Sequence, residues 1–197
     1  AYMSKETKAL ATIPFPSFEG ITFPRDYPAE IIDEGYVFDL GGRHLETFKI
    51  PDHAVGSLAF LDDKEGILFC GDELCMPFGK ALNGSVEHVH KLLMKLWNRK
   101  EEIKILYGGP GKGETAIIGK LLENMEYIMA GHEGEKMPLE EKQLEKTAES
   151  APVVYQRWMP HPPDRHHDDP AEVIYKRMMD YAGIKVIYDC RKIKENS

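Results

Sequence analysis

The hydrophobic positions of the chain follow two different periods, and the first, between residues 35 and 72, predicts strands. Short apolar runs in this region are bounded by glycine, proline or acidic residues, which is typical of strands joined by tight turns. Gly41-Gly42 predicts one hairpin, and the loop 62–66 predicts a second. The four predicted strands are Tyr36–Leu40, His44–Ile50, Ser57–Leu61 and Ile67–Cys70.

After residue 80 the hydrophobic positions recur at helical spacing. One amphipathic helix is predicted to begin after the N-cap Ser85, and another to span Glu114–Ala130 and to end at Gly131. A buried strand, Ile103–Tyr107, and a glycine-rich turn, 108–111, lie between the two helices. This alternation of strands and helices predicts an α/β fold built in layers. The apolar stripes are Val86, Val89, Leu93, Leu96 and Trp97 in the first helix, and Ile117, Ile118, Leu121, Leu122, Met125 and Ile128 in the second.

The two ends of the chain have less regular patterns. The prolines within residues 1–34 exclude a long helix or a central strand, so we expect extended coil with short edge pairings there. Residues 135–150 are polar and charged, and predict a linker or a solvated helix. Residues 151–197 are expected to form a small α/β appendage, which leaves 1–134 as the main domain. The elements predicted in the appendage are the strand Val153–Tyr155, a loop over 160–170, the helix Ala171–Ala182 with Gly183 as its cap, and the strand Ile184–Asp189.

A net charge of −8 narrows the range of partners. Nucleic acids and anionic membranes both require a basic face, so neither is expected as a partner. The sequence shows no apolar run of membrane-spanning length and no signal peptide, and its three cysteines have spacings unrelated to a disulfide framework. These features predict a cytoplasmic protein with reduced thiols. Because the chain opens Ala1-Tyr2-Met3, we expect it to carry added residues or to begin inside a longer polypeptide.

Two polar residues stand directly after predicted strands. His53 follows the second strand, in the loop 51–56, and Asp72 follows the fourth strand and Gly71. Gly71 is expected to leave space for a close backbone approach beside the carboxylate. An imidazole nitrogen and a carboxylate oxygen are suitable ligands for zinc or iron, and strand ends can hold them in a set geometry. Taken alone, however, a loop histidine is more often a surface residue, and an aspartate after a strand is more often a cap.

The order of features over residues 34–74 strengthens the metal interpretation. It resembles the metallo-β-lactamase superfamily, in which a short strand and a Gly-Gly turn precede a strand that ends in a Pro-Gly-His-x-x-Gly-Ser loop. A hairpin and an apolar strand that ends in Gly-Asp then follow. The corresponding segments here are Gly41-Gly42, Pro51-Asp52-His53-Ala54-Val55-Gly56-Ser57 and Gly71-Asp72. The resemblance implies half of a four-layer αββα sandwich, a mixed sheet with helices on one side, continuing to about residue 130.

The resemblance also implies a chemistry. His53 would be a terminal zinc ligand and Asp72 the carboxylate that bridges two metals, with Gly56, Ser57 and Gly71 supporting the two loops. In the complete fold two zinc ions, with iron as the alternative, would activate water to attack a small-molecule ester, thioester, lactone, β-lactam or phosphoester. The alternative function is a non-catalytic protein that keeps the fold for binding or assembly. A third interpretation is that this chain is a fragment of the hydrolase.

Three departures from the superfamily pattern limit what this chain can do alone. Asp52 stands where the superfamily usually has glycine, and the motif His-x-His-x-Asp-His is absent from the chain. The last ligand, a histidine in a Gly-His-Gly turn, is missing from 107–111. His88-Val89-His90 is not a substitute, because positions i and i+2 of a helix point to different faces. With two ligands left, we expect weak or no zinc binding and no activity of the isolated chain, and no catalytic residue is assigned.

Four other histidines could supply extra ligands. His132 follows the second predicted helix, where an interaction with the helix dipole is the simpler interpretation. The others, His161, His166 and His167, lie among prolines and acidic residues, which more often form a solvated loop. Residues 108–113 resemble a phosphate loop only superficially, because they lack the spacing of that motif.

A half sandwich has an apolar sheet face that requires a cover. In the complete fold the first half would pack on this face, and monomers rarely expose more than a few hundred Å² of contiguous apolar surface. The candidates for the cover are the N-terminal half of the fold, a second copy of the chain in a homo-oligomer, or the C-terminal appendage. We favour the N-terminal half, either on a partner chain or on the same polypeptide.

Overall fold

The computed structural model describes residues 1–11, 28–74, 80–82, 84–109, 111–137 and 174–195. Within these ranges the helices are α1 Lys5–Ala11, α2 Val86–Trp97 and α3 Ala116–Met129. The strands are β1 Tyr2–Met3, β2 Glu30–Ile31, β3 Val37–Asp39, β4 His44–Lys49, β5 Leu58–Asp62, β6 Ile67–Phe69, β7 Lys80–Ala81, β8 Ile105–Gly108, β9 Gly111–Gly113, β10 Glu135–Lys136, β11 Lys176–Tyr181 and β12 Ile184–Asp189.

A six-stranded mixed sheet forms the centre of the fold, in the order β3-β4-β5-β6-β8-β9. Neighbouring strands are antiparallel except for β6 and β8, which run parallel. The parallel pair requires a crossover, and the chain makes it through α2. The five strands predicted between residues 36 and 107 are therefore present, each displaced by at most two residues at either end.

Helices α2 and α3 pack against one face of this sheet. Ser85 is the N-cap of α2, and its hydroxyl accepts a hydrogen bond from the backbone N–H of His88. The apolar stripes of both helices join one core with the sheet residues Phe48, Ala59, Leu61, Leu68 and Leu106. A mixed sheet with helices on one side is thus confirmed. Among the described residues, no helix has the length and hydrophobicity that crossing a bilayer requires.

The opposite face of the sheet, which we call the inner face, carries a row of aromatic and aliphatic side chains. Cross-strand partners share a face, and the register aligns Thr47, Phe60, Phe69 and Tyr107. The Phe69 side chain is 39% exposed and that of Tyr107 is 44% exposed. The apolar and aromatic residues of the inner face include Phe38, Leu45, Phe60, Ile67, Phe69, Ile105 and Tyr107, and the same registers place Thr47 and the buried Asp62 among them.

A second sheet, in the order β10-β11-β12-β7, corrects the prediction for the C-terminal region. Lys176–Tyr181 forms a strand and not the end of a helix, because it pairs along its whole length with Ile184–Asp189. Gly183 does not cap a helix: with Ala182 it forms a two-residue turn in which both φ angles are positive. Glu135–Lys136, predicted as linker or helix, is the strand that pairs with β11.

The hairpin β11–β12 packs into the same core as the central sheet, through Met179, Val186 and Tyr188. The predicted strand Val153–Tyr155 and the loop 160–170 lie outside the described residues. The division of the chain at residues 134 and 150 therefore stays a prediction.

The described part of the N-terminal region contains a helix that the sequence pattern did not predict. Helix α1 covers Lys5–Ala11, ahead of the first proline, whereas we expected extended coil. The predicted edge pairing is present between β1 and β2. Lys49 of β4 fixes this region through ion pairs with Asp33 at 3.1 Å and Glu6 at 3.3 Å. The hydrogen bond to Asp33 raises the pKa of Lys49, so the ammonium stays charged.

The turn between β11 and β12 leads to a first testable prediction. Ala182 adopts a φ of 54°, a left-handed conformation that costs an alanine about 1 kcal/mol. Asparagine tolerates this conformation and favours the first position of such turns. We expect Ala182→Asn to raise the free energy of unfolding by about 0.5–1 kcal/mol in urea titrations. Gly183→Ala, the matched control with a φ of 75°, should lower it by about 1 kcal/mol. A less stable Ala182→Asn variant would contradict the turn assignment.

Candidate metal centre

His53 and Asp72 lie at the same edge of the central sheet. Strands β4 and β6 are each antiparallel to β5, so they run in the same direction and their following loops leave from the same edge. The Nε2 atom of His53 is 3.8 Å from Oδ2 of Asp72, and both side chains are about half exposed to solvent. The structure therefore brings the two predicted site residues together. Their role as metal ligands stays a prediction.

Gly109 occupies the region where the resemblance expects a third ligand. The parallel pairing of β6 and β8 continues past the strand ends, because the N–H of Gly109 donates to the carbonyl of Gly71 at 3.3 Å. A Cβ atom on Gly109 would overlap Oδ1 of Asp72. The carboxylate of Asp72 thus fills the space that a side chain at position 109 would need, and the position brings no donor of its own.

Gly71 has a different role from the expected one. Nothing lies within 4 Å of where its Cβ would stand, so it does not make room for a close backbone approach. Its φ of +53° instead requires the left-handed conformation, which turns the chain from β6 toward Asp72.

The loop 51–56, which we call the His53 loop, is held at its centre by Glu73. This carboxylate is 3% exposed. It accepts hydrogen bonds from the backbone N–H groups of Asp52 at 3.4 Å, of His53 at 2.8 Å from each oxygen, and of Ala54 at 3.3 Å. Three successive amides therefore converge on the residue that follows Asp72.

The start of the His53 loop is tied to the segment before α2. Asp52 is 4% exposed, and its Oδ1 accepts a hydrogen bond from the N–H of Gly84 at 3.0 Å. Its φ is not positive, since Ala182 is the single non-glycine residue with positive φ among those the structure describes. Asp52 can therefore replace the usual glycine without backbone strain, and its side chain adds an anchor.

The end of the His53 loop is tied to α1. The hydroxyls of Ser4 and Thr7 donate to the carbonyl of Gly56 at 2.9 and 3.2 Å. A Cβ on Gly56 would overlap Oγ1 of Thr7, so glycine is required for this approach. Ser57 supports the loop through its backbone, whose N–H donates to the carbonyl of Ala54 at 3.0 Å.

The other histidines do not join this pair in the part of the chain that the structure describes. The His132 ring stacks on Tyr127, with centroids 3.8 Å apart. His88 and His90 point to different partners, Glu195 and Glu126, as their helical spacing predicts. The remaining candidates His161, His166 and His167 lie outside the described residues. Within the described ranges, no three His, Cys, Asp or Glu side chains form a group able to hold a metal ion.

Sequence reasoning missed Glu73, Ser4 and Thr7 as supports of the His53 loop. Glu73 stands next to Asp72, and a carboxylate so close to a buried strand was the one available signal. Ser4 and Thr7 gave no such signal, because their partner Gly56 lies 52 and 49 residues away along the chain.

Comparison with known proteins places this geometry in context. No protein-family model matches the chain. A hydroxyacylglutathione hydrolase of Methylococcus capsulatus is 31% identical over 75 residues, which are 38% of this chain and 29% of the hydrolase. A metallo-β-lactamase superfamily protein of Sulfolobus tokodaii is similar in structure at 19% identity and a TM-score of 0.40, over 57% of this chain and 43% of that one. A metallo-β-lactamase of Pontibacter korlensis is similar at 18% identity and a TM-score of 0.47, over 64% and 57%.

The architecture that the structure defines is a mixed α/β fold, with a six-stranded mixed sheet and helices. The resemblance to the metallo-β-lactamase superfamily predicted from residues 34–74 is confirmed by the similarity to the hydroxyacylglutathione hydrolase, and the architecture is consistent with a part of the metallo-β-lactamase fold. The matched or aligned region spans between 29% and 57% of the length of these three relatives.

Proposed function

We propose that this chain is a component of a metal-dependent hydrolase of the metallo-β-lactamase superfamily, to which it contributes the ligands His53 and Asp72. The observation that carries the proposal is the convergence of their side chains, 3.8 Å apart, on loops that follow two strands of the same sheet. The remaining ligands would come from residues outside the described site.

The two side chains fit a metal ion as half of a ligand set. Zinc binds imidazole nitrogen and carboxylate oxygen at about 2.0–2.2 Å, so two donor atoms 3.8 Å apart can reach a single ion. Asp52 and Glu73 add negative charge close to the pair, which favours a cation. Zinc is the proposed metal, with iron as the alternative. When bound, such an ion lowers the pKa of a water molecule and polarises the scissile group of a substrate.

The proposed substrate is a small molecule with a hydrolysable acyl or phosphoryl bond: an ester, thioester, lactone, β-lactam or phosphoester. The similarity to a hydroxyacylglutathione hydrolase supports the acyl substrates within this range. The isolated chain is expected to show no hydrolysis of any of them, because two ligands do not make a closed zinc site.

Calorimetric titration with Zn²⁺ tests the role of the pair. Structural zinc sites with four ligands bind with about 10–16 kcal/mol, so we expect two ligands to give about 6 kcal/mol, a Kd on the order of 0.1 mM. His53→Ala should abolish this binding. His90→Ala is the matched control, because His90 lies on the surface of α2 beside Glu126 and should not change the affinity. Binding that survives His53→Ala, or no binding by the unaltered chain, would contradict the proposal.

The alternative is a non-catalytic protein that uses the same fold for binding or assembly. Gly109 favours it, because a glycine stands where a ligand is expected and the carboxylate of Asp72 fills the space. Metal content of the protein isolated with its partner separates the two functions. Tightly bound, stoichiometric metal supports the hydrolase, and protein free of metal supports the alternative.

We also propose a cytoplasmic location and a partner that covers the inner face. The net charge of −8 supports a partner other than nucleic acid. The exposed aromatic side chains of the inner face support the N-terminal half of the fold, or a second copy of this chain, as the cover.

A further inference from the structure

Glu73 connects the two halves of the candidate metal centre. It is the residue after Asp72, and its buried side chain turns back to the His53 loop. The backbone N–H of His53 is 2.8 Å from both carboxylate oxygens, and the N–H of Ala54 is 3.3 Å from one of them. The side chain of Glu73 therefore fixes the backbone of His53 relative to the neighbouring Asp72.

From this geometry we infer that Glu73 is the positioning residue of the candidate site, which holds the backbone of His53 at a set place relative to Asp72. The ties from Asp52 to Gly84 and from Gly56 to α1 act on the ends of the loop, whereas Glu73 acts on its centre. An ionised carboxylate accepts hydrogen bonds and donates none, so it can serve three amides at once. The inference rests on the proposed function in that His53 and Asp72 are taken as ligands.

Two variants separate the reach of Glu73 from its charge. Glu73→Gln keeps the length of the side chain and one acceptor oxygen but removes the charge. Glu73→Asp keeps the charge but withdraws both oxygens by one methylene group. If Glu73 acts by position, Glu73→Gln should preserve more of the amide protection and zinc affinity than Glu73→Asp. If its negative charge merely attracts a cation, Glu73→Asp should preserve more of the zinc affinity than Glu73→Gln.

Amide exchange measured by NMR is the first readout. In the unaltered chain the amides of His53 and Ala54 should exchange slowly, because they donate to a buried carboxylate, whereas the amide of Asp52 also donates to the carbonyl of Ile50 at 2.9 Å. We expect Glu73→Asp to speed the exchange of the His53 and Ala54 amides by at least about tenfold, and Glu73→Gln by clearly less. A scalar coupling across the hydrogen bond from the His53 nitrogen to the Glu73 carboxylate carbon should also be present in the unaltered chain, which tests the contact without any substitution.

The second readout is zinc affinity, measured from the NMR signals of the His53 and Asp72 amides. Loss of a side chain that orients a ligand typically weakens metal binding by about 10–100-fold, and we expect about tenfold for Glu73→Asp. The matched control is Asp62→Asn. Asp62 is also a buried carboxylate that accepts a loop amide, that of Lys64 at 2.9 Å, but it lies in the hairpin at the other end of β5. This control should change neither the exchange of residues 52–54 nor the zinc affinity.

Each outcome decides the inference. The inference would be overturned if Glu73→Gln lost more amide protection and zinc affinity than Glu73→Asp, or if Asp62→Asn changed these readouts equally. Unchanged exchange at residues 52–54 in both Glu73 variants would also overturn it. Absence of the scalar coupling would overturn it even if a variant failed to fold. The exchange and coupling readouts need no metal, so they remain decisive if the chain binds no zinc, a result that would count against the proposed function alone.

Discussion

Gly109→His is expected to raise the affinity of the chain for Zn²⁺ by about a hundredfold. Four-ligand zinc sites bind with about 10–16 kcal/mol, which is about 3 kcal/mol per ligand and corresponds to a factor of about 100. Position 109 lies beside the pair of His53 and Asp72, since its Cβ would overlap the carboxylate of Asp72. That overlap involves the end of a mobile side chain, so Asp72 can rotate to admit the new residue. Titration calorimetry against a competing chelator measures the change.

Two further variants show whether the added imidazole acts at this site. His53→Ala in the Gly109→His background should lower the affinity again by about a hundredfold, because one of three ligands is then lost. Gly108→His places an imidazole one residue earlier, where successive residues of a strand point to opposite faces, and should leave the affinity unchanged. An equal gain in Gly108→His would mean that zinc binds elsewhere. If Gly109→His does not raise the affinity for Zn²⁺, His53 and Asp72 are not metal ligands.

The central sheet and its two helices could be predicted because their hydrophobic patterns are local. In α2, the residues Val86, Val89, Leu93 and Leu96 recur at helical spacing and are all buried, so the pattern and the packing agree. In β5 and β6, short apolar runs on either side of the acidic turn allow little besides a hairpin. In such segments the sequence pattern and the tertiary environment favour the same element.

Strand β11 shows where this reasoning fails. Its sequence Lys-Arg-Met-Met-Asp-Tyr contains good helix formers, and the following Ala182-Gly183 resembles a helix end. The strand exists because β12 offers six pairing partners and β10 pairs with its other side. Such long-range pairing overrides local propensity, and a single sequence does not reveal it.

The candidate site, like the fold, could be predicted only in part. His53 and Asp72 could be found because each follows a strand in a motif of the superfamily. Glu73 could not be assigned a role, because the amides that it accepts from lie 19 to 21 residues away along the chain. Its side chain reaches them only because of the direction in which the chain turns after β6. The overlap of Asp72 with position 109 likewise depends on the pairing of β6 with β8 across the α2 crossover.

The isolated chain is expected to self-associate at micromolar concentration through the inner face, and Phe69→Lys with Tyr107→Lys should abolish this association. Their side chains are 39% and 44% exposed, and their ring centroids lie 6.1 Å apart on the neighbouring strands β6 and β8. Aromatic residues at the centre of an interface often contribute about 2 kcal/mol or more each, so the pair should weaken association by at least about 10³-fold. Sedimentation velocity over a range of concentrations measures it.

Val37→Lys is the matched control for this prediction. Val37 is 49% exposed and lies on edge strand β3, but its cross-strand partner is Glu46, which faces the helices. A lysine there adds the same charge on the other side of the sheet, and the association should persist. Because Phe69 and Tyr107 are partly exposed, the double variant should lose less than about 2 kcal/mol of unfolding free energy. A compact monomer at every concentration in the unaltered chain would refute the half-sandwich interpretation, since exposed aromatic side chains such as those of Phe69 and Tyr107 promote association in water.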